Sequence, residues 1–191
     1  MSGRSSVARY RAVDLALFAV MLLVFENLII AAATRWFPAS PYTVSLTPAI
    51  TAIVLIRWGP WAAVHAVLGA LVLCAGSSAA PVQYAVYILG NLFSLAVLPC
   101  LRFLGGPGEI TRRSGRTAVF GLAVLALMQL GRMLAALCTG ALPSAAAGFF
   151  TTEVITDLFT LVLLWIVRRL DGVLEDQRHY LLRIREEQEN R

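Results

Sequence analysis

The feature that most constrains this chain is a series of apolar runs, each almost free of charge and most long enough to cross a bilayer. A spanning helix needs roughly 20 mostly apolar residues. Six runs stand out: Ala12–Thr34, Val44–Arg57, Trp61–Ala75, Val82–Leu104, Arg116–Thr139 and Gly148–Val167. The second and third are short and are divided by Gly59-Pro60, so they read as a tight helical hairpin or as shortened, partly re-entrant helices. Pro38 and Pro41, Gly76-Ser77-Ser78 with Pro81, Gly105-Gly106-Pro107-Gly108 and Pro143 separate the others. No barrel-type alternation is present. The expected fold is therefore an all-α integral membrane protein, with one six-helix bundle over residues 1–170 and a cytoplasmic helical tail over 171–191.

Composition excludes the alternatives. Only 14% of the 191 residues are charged and 59% are hydrophobic, with mean hydropathy +0.75. A soluble domain carries about 25% charged residues. An ordinary cytosolic globule, a disordered tail and a secreted disulfide scaffold all fail on that count. The three cysteines, Cys74, Cys100 and Cys138, fall in separate apolar segments without a CxxC pair, and read as small buried hydrophobes.

Net charge is +5, and all 16 basic residues are Arg. Cytoplasmic loops concentrate such residues. Arg4, Arg9 and Arg11 precede the first run; Arg102, Arg112, Arg113 and Arg116 surround the fourth connection; Arg168 and Arg169 follow the last run. The three opposite connections hold only Arg35. Both termini are thus expected in the cytoplasm of a bacterial-type cell membrane. The basic start resembles a signal peptide, but its apolar region is too long and contains Glu26 and Asn27. In the tail, Leu170, Leu174, Leu181 and Ile184 recur at helical spacing, with Glu175 and Arg178 on the wet face.

Ionisable side chains inside a bilayer are costly and mark functional candidates. At about 1.5 Å per residue, Glu26 and Asn27 lie roughly 10–12 Å from the outer end of the first run. Asn91 falls at a similar depth, below Tyr84 and Tyr87. Gln129 and Arg132 reach the same stratum, as do Glu153 and Asp157, which share one helix face four residues apart. His65 is expected near that level. The inner half reads as almost pure Ala, Leu, Val and Ile. Arg132 needs a counter-charge, with Asp157 or Glu26 as the expected partner. Three readings fit the stratum: a structural ion pair, an outward-facing binding pocket, and a proton relay using His65. Trp36, Phe37 and Tyr42 in the first outer connection are placed to close over a pocket, although interfacial belts put aromatics there anyway. Trp58 and Trp61 flank the inner turn as anchors.

Six short-looped helices with both ends inside resemble the substrate-binding S component of energy-coupling-factor (ECF) vitamin transporters. The local carriers are Tyr42–Gly59 (YTVSLTPAITAIVLIRWG) and the start of the first run. In that family an AxxxA pattern on the first helix docks on a membrane coupling subunit. Ala12 and Ala16 match it, and Ala8 extends it; Ala62, Ala66 and Ala70 form a second such row. Small residues four apart let helices approach closely. Asp14 and Arg11, beside the seam, are then expected to face the coupling helices. The resemblance implies capture of a water-soluble vitamin or related micronutrient. By depth and helix, Glu26, Asn91, Gln129, Arg132, Glu153 and Asp157 map to the pocket with Tyr84, capped by Trp36 and Tyr42. It implies no cofactor and no metal, and ATP is used only by two partner ATPase subunits. The chain itself has no GxxxxGK[ST] loop.

Neither GxSG nor HExxH occurs, so rhomboid-type and zinc-dependent cleavage lack their minimal parts and no enzymatic role is expected. Two other functions stay open: a structural or scaffolding protein of a cell-envelope complex, and a small secondary carrier.

Overall fold

The computed structural model describes residues 2–38 and 44–170, together with Val173, Leu174, Asp176, Gln177 and Tyr180. Among these no strand occurs. Helices α1 (Ser2–Trp36), α2 (Thr47–Trp58), α3 (Ala62–Gly76), α4 (Pro81–Leu92) and α5 (Leu98–Phe103) are followed by α6 (Gly106–Arg112) and α7 (Ser114–Cys138). The short α8 (Pro143–Ala147) and α9 (Phe149–Thr152) then lead into α10 (Val154–Val167).

Five helical stretches are long and apolar enough to cross a membrane: Val7–Trp36, Thr47–Gly76, Pro81–Phe103, Ser114–Cys138 and Pro143–Val167. The second is not straight. A Cβ added to Gly69 would come within 2.7 Å of the Thr47 Cβ, although the two residues are 22 apart in sequence. On a continuous helix they would stand about 33 Å apart. The chain therefore reverses at the 3-10 turn Gly59–Trp61, and α2 and α3 form a hairpin. Gly59 takes φ +59°, a left-handed conformation that a side chain resists, and Pro60 supplies no N–H to continue the helix. The six runs of the sequence appear as five apolar stretches, one of them folded where Gly59-Pro60 divides it. The arms of the hairpin are about 18 and 22 Å long by their rise, short of the roughly 30 Å hydrocarbon core.

All twelve residues of α2 are buried. TPAITAIVLIRW offers no wide polar face before Arg57, so this helix fills the centre, and α1, α3, α7 and α10 pack around it. Helices α4 and α7 cross at close range. A Cβ on Gly131 would fall 2.8 Å from the Gly90 carbonyl oxygen, and one on Gly90 would fall 2.7 Å from the Arg132 backbone nitrogen. Two glycines at one crossing let the backbones meet where packing, rather than the hydrophobic effect, must hold helices together.

Side-chain pairs fix the path. Asp14 meets Arg57 and Trp58 while Glu26 meets Leu46, so α1 and α2 are antiparallel. His65 meets Leu15, and Gly76 packs against Ile30, so α3 runs parallel to α1. A cavity of about 290 Å³ at one end is lined by Arg11, Trp58, Trp61, Leu101 and Asp176. The start of α1, the hairpin turn, α5 and the described tail residues thus share one end of the bundle.

Three local expectations change. The Gly105–Gly108 connection folds into α6, with Pro107 in its first turn and Glu109 bound by Arg116 at 2.9 Å. The last run is interrupted at Gly148 and Glu153 before α10 begins. In the tail, Leu174 and Gln177 are buried; Glu175, Arg178, Leu181 and Ile184 lie outside the described residues.

Candidate functional site

Helix α7 carries Gln129 and Arg132 on one face, and Glu153, just before α10, lies one turn from Asp157 in the first turn of that helix. The helices are antiparallel, so the pairs meet as two rungs. Arg132 Nη1 stands 3.0 Å from Glu153 Oε1, both side chains being 2% exposed. Gln129 Nε2 donates to Asp157 at 2.8 and 2.7 Å. Glu153 sits just before α10 and Asp157 in its first turn, where the helix N-terminus favours negative charge. The counter-charge of Arg132 is therefore Glu153, not the expected Asp157 or Glu26. The break at Glu153 brings that carboxylate level with Arg132, a turn the sequence does not announce.

The rest of the guanidinium is held from α4. Nε and Nη2 donate to Asn91 Oδ1 at 3.1 and 2.8 Å, and Asn91 Nδ2 donates to the Ala66 carbonyl of α3 at 3.1 Å. The Tyr87 ring lies 4.8 Å from the guanidinium carbon, and Phe149 meets Tyr87 edge-on. The close α4–α7 crossing at Gly90 and Gly131 makes this reach possible.

Glu26 enters from α1. It is fully buried, and Oε2 accepts the Leu46 N–H at 2.7 Å just before α2. The neighbouring Ser45 N–H donates to Thr156 Oγ1 on α10 at 3.1 Å. This short bridge joins the Glu26 corner to the Arg132 corner, and the Glu26 and Glu153 carboxylates interact electrostatically. Glu26, Asn91, Gln129, Arg132, Glu153 and Asp157 are thus brought into one connected cluster.

Other expected members fall elsewhere. Tyr84 is half-buried one turn from Tyr87, Trp36 is 69% exposed at the end of α1, and Tyr42 lies outside the described residues. His65 faces away: Nε2 bonds the Leu15 carbonyl at 3.0 Å, its ring meets Phe18, and its charged neighbour is Asp14. A relay pairing His65 with the cluster carboxylates does not match this placement.

The half nearer the tail, expected from the sequence to be almost purely apolar, is not featureless. Arg57 Nε and Nη2 donate to Asp14 at 2.9 and 2.8 Å, Nη1 donates to the Val173 carbonyl at 2.6 Å, and Trp58 Nε1 donates to Asp14 at 2.6 Å. Asp14 points into the bundle, opposite to the expectation that it faces a coupling helix. Its neighbour Arg11 stacks over Trp61 at 4.3 Å. The sequence signal was available: an acid one turn into the first run and an Arg closing the second sit at one depth. By contrast Ala12 and Ala16 lie exposed on the outside of α1.

Among the described residues no three His, Cys, Asp or Glu side chains are grouped to hold a metal ion. The cluster can bind polar groups and hold helices in register. Fold and site together define a helical bundle of membrane-protein type, with a buried polar cluster in the half away from the tail. No protein-family model matches the chain, and neither a curated protein nor a solved structure matches it.

Proposed function

We propose that this chain is the substrate-binding membrane subunit of an ECF-type importer, taking up a water-soluble vitamin or similar micronutrient at the Arg132 cluster. One observation carries the reading: charged and amide side chains from α1, α4, α7 and α10 converge in one half of an otherwise apolar bundle. Fixing helix register needs one pair, whereas three acids, one guanidinium and two amides are gathered here. In this reading the arginine-bearing connections and both termini face the cytoplasm, six segments span or enter the membrane, and the cluster opens outward. Arg132, Asn91 and Gln129 bind the polar end of the substrate, Glu26, Glu153 and Asp157 take its donors, and Tyr84, Trp36 and Tyr42 close the entrance. Ala12 and Ala16 on α1 offer the close-packing edge for a coupling subunit, and two partner ATPases supply the ATP work.

A scaffolding role is favoured by one fact, the closure of the Arg132–Glu153 pair at 2% exposure. Expression with and without a coupling subunit and ATPases separates the two readings. A transporter subunit co-purifies with them and gains thermal stability from at least one vitamin, since a ligand that binds only the native state stabilises it by mass action. Absence of both results leaves the scaffold.

A further inference from the structure

Resting on that capture reading, we infer that the cluster's substrate is an organic cation that carries N–H donors. The charge count is the first reason. Glu26, Glu153 and Asp157 bring three carboxyl groups, while Arg132 is the one guanidinium among the described residues of the cluster. A buried acid is costly unless it is neutral or paired, and a bound cation is one way to pair it. His65 does not serve them, because it is turned toward Leu15 and Asp14.

The second reason is independent of charge. The fully buried Glu26 carboxylate has the Ser45 hydroxyl and the Thr47 N–H as polar neighbours beside its bond from Leu46, yet Oε1 has no partner in hydrogen-bond alignment among the described residues. The hydroxyls of Thr51 on α2 and Thr160 on α10 are equally buried and equally unpartnered. Thr160 follows Thr156 by one turn on the same face of α10, and Thr156 is bonded to the strand of backbone that caps Glu26. Buried acceptors left open are expensive, and a carboxylate oxygen can be satisfied only by a donor. Glu153 Oε1, within ion-pair distance of Arg132, is likewise out of hydrogen-bond alignment.

The third reason concerns the simplest cation, a metal ion. Among the described residues no three His, Cys, Asp or Glu side chains are grouped to hold a metal ion. Ammonium, amidinium and aminated heteroaromatic groups bring N–H donors to these open acceptors; anionic groups bring none.

The test uses the full chain in nanodiscs and reads Tm by tryptophan fluorescence. The probes are agmatine, putrescine and thiamine as N–H cations, choline as a cation without N–H, riboflavin as a neutral compound, and biotin and pantothenate as anions. At about a hundredfold excess over Kd, an N–H cation should raise Tm by about 5–10 °C. Glu26→Gln keeps an acceptor for the Leu46 N–H and should lose most of that rise, as should Asp157→Asn. An equal response to choline overturns the N–H requirement. A response only to riboflavin, biotin or pantothenate overturns the cation class while leaving capture intact. A rise unchanged in both variants places binding elsewhere and overturns the inference. Silence from every probe removes the capture reading as well.

Discussion

The bundle buries two charge clusters, and they are built differently. At the tail end Asp14 pairs with Arg57 among the described residues, and each polar arm of Arg57 has a partner at 2.6–2.9 Å. Trp58 and the Val173 carbonyl complete it. In the other half, Arg132 serves an excess of acid, and Glu26 Oε1, Thr51 and Thr160 are left open among the described residues. A matched pair fixes geometry: it ties the start of α1 to the hairpin turn and to the tail. An unmatched set stores polar capacity, which is what a binding site needs and a structural pair does not. The difference separates a latch from a candidate site.

That contrast breaks most sharply at Arg132. Arg132→Met leaves the buried Glu153 without its cation. Removing one partner of a buried pair costs about 3–5 kcal/mol, so Tm should fall by about 6–20 °C. Any ligand response should vanish with it. A variant that keeps both its Tm and its ligand response would reduce the cluster to a bystander.

Asp14→Ala tests the latch. Asp14 keeps 12% side-chain exposure, and Arg57 retains the Val173 carbonyl. Loss of the pair should cost about 1–3 kcal/mol, the penalty for an incompletely satisfied buried group. Thermal unfolding should show the smaller drop, and ligand-induced shifts measured on the same variant should be unchanged. If Asp14→Ala abolishes the ligand response, the two clusters are one system and the division fails.

Most of this architecture was legible in the sequence because membrane burial writes itself in composition. Long apolar runs mark helices, and Gly59-Pro60 marks a reversal that no helix can ignore. The depth of Asn91, Gln129, Arg132, Glu153 and Asp157 followed from counting residues along straight helices. The pairings did not, because they depend on rotation and local breaks. Glu153 reaches Arg132 through the interruption before α10, and His65 turns to α1 because helix rotation, not depth, decides which neighbour a side chain meets. Asp14 was misread for a related reason. Its place beside Ala12 and Ala16 suggested the same face, yet on a helix residues two apart point in different directions.

That same rotation gives the last and smallest effect. With Asp14 turned inward to Arg57, Ala12 and Ala16 remain on the outer surface of α1, beside exposed Val13, Leu17 and Val20. Neither methyl is buried in the chain itself, so enlarging it removes no internal contact. Ala12→Leu and Ala16→Leu should therefore change unfolding free energy by less than about 0.5 kcal/mol and leave ligand shifts intact. If a partner helix seats closely on this edge, the added bulk should hold it off, and the yield of co-purified coupling subunit should fall severalfold while binding of substrate stays constant. Loss of stability in the isolated chain would show that the edge is internal packing, and unchanged co-purification would move the docking surface to another face of the bundle.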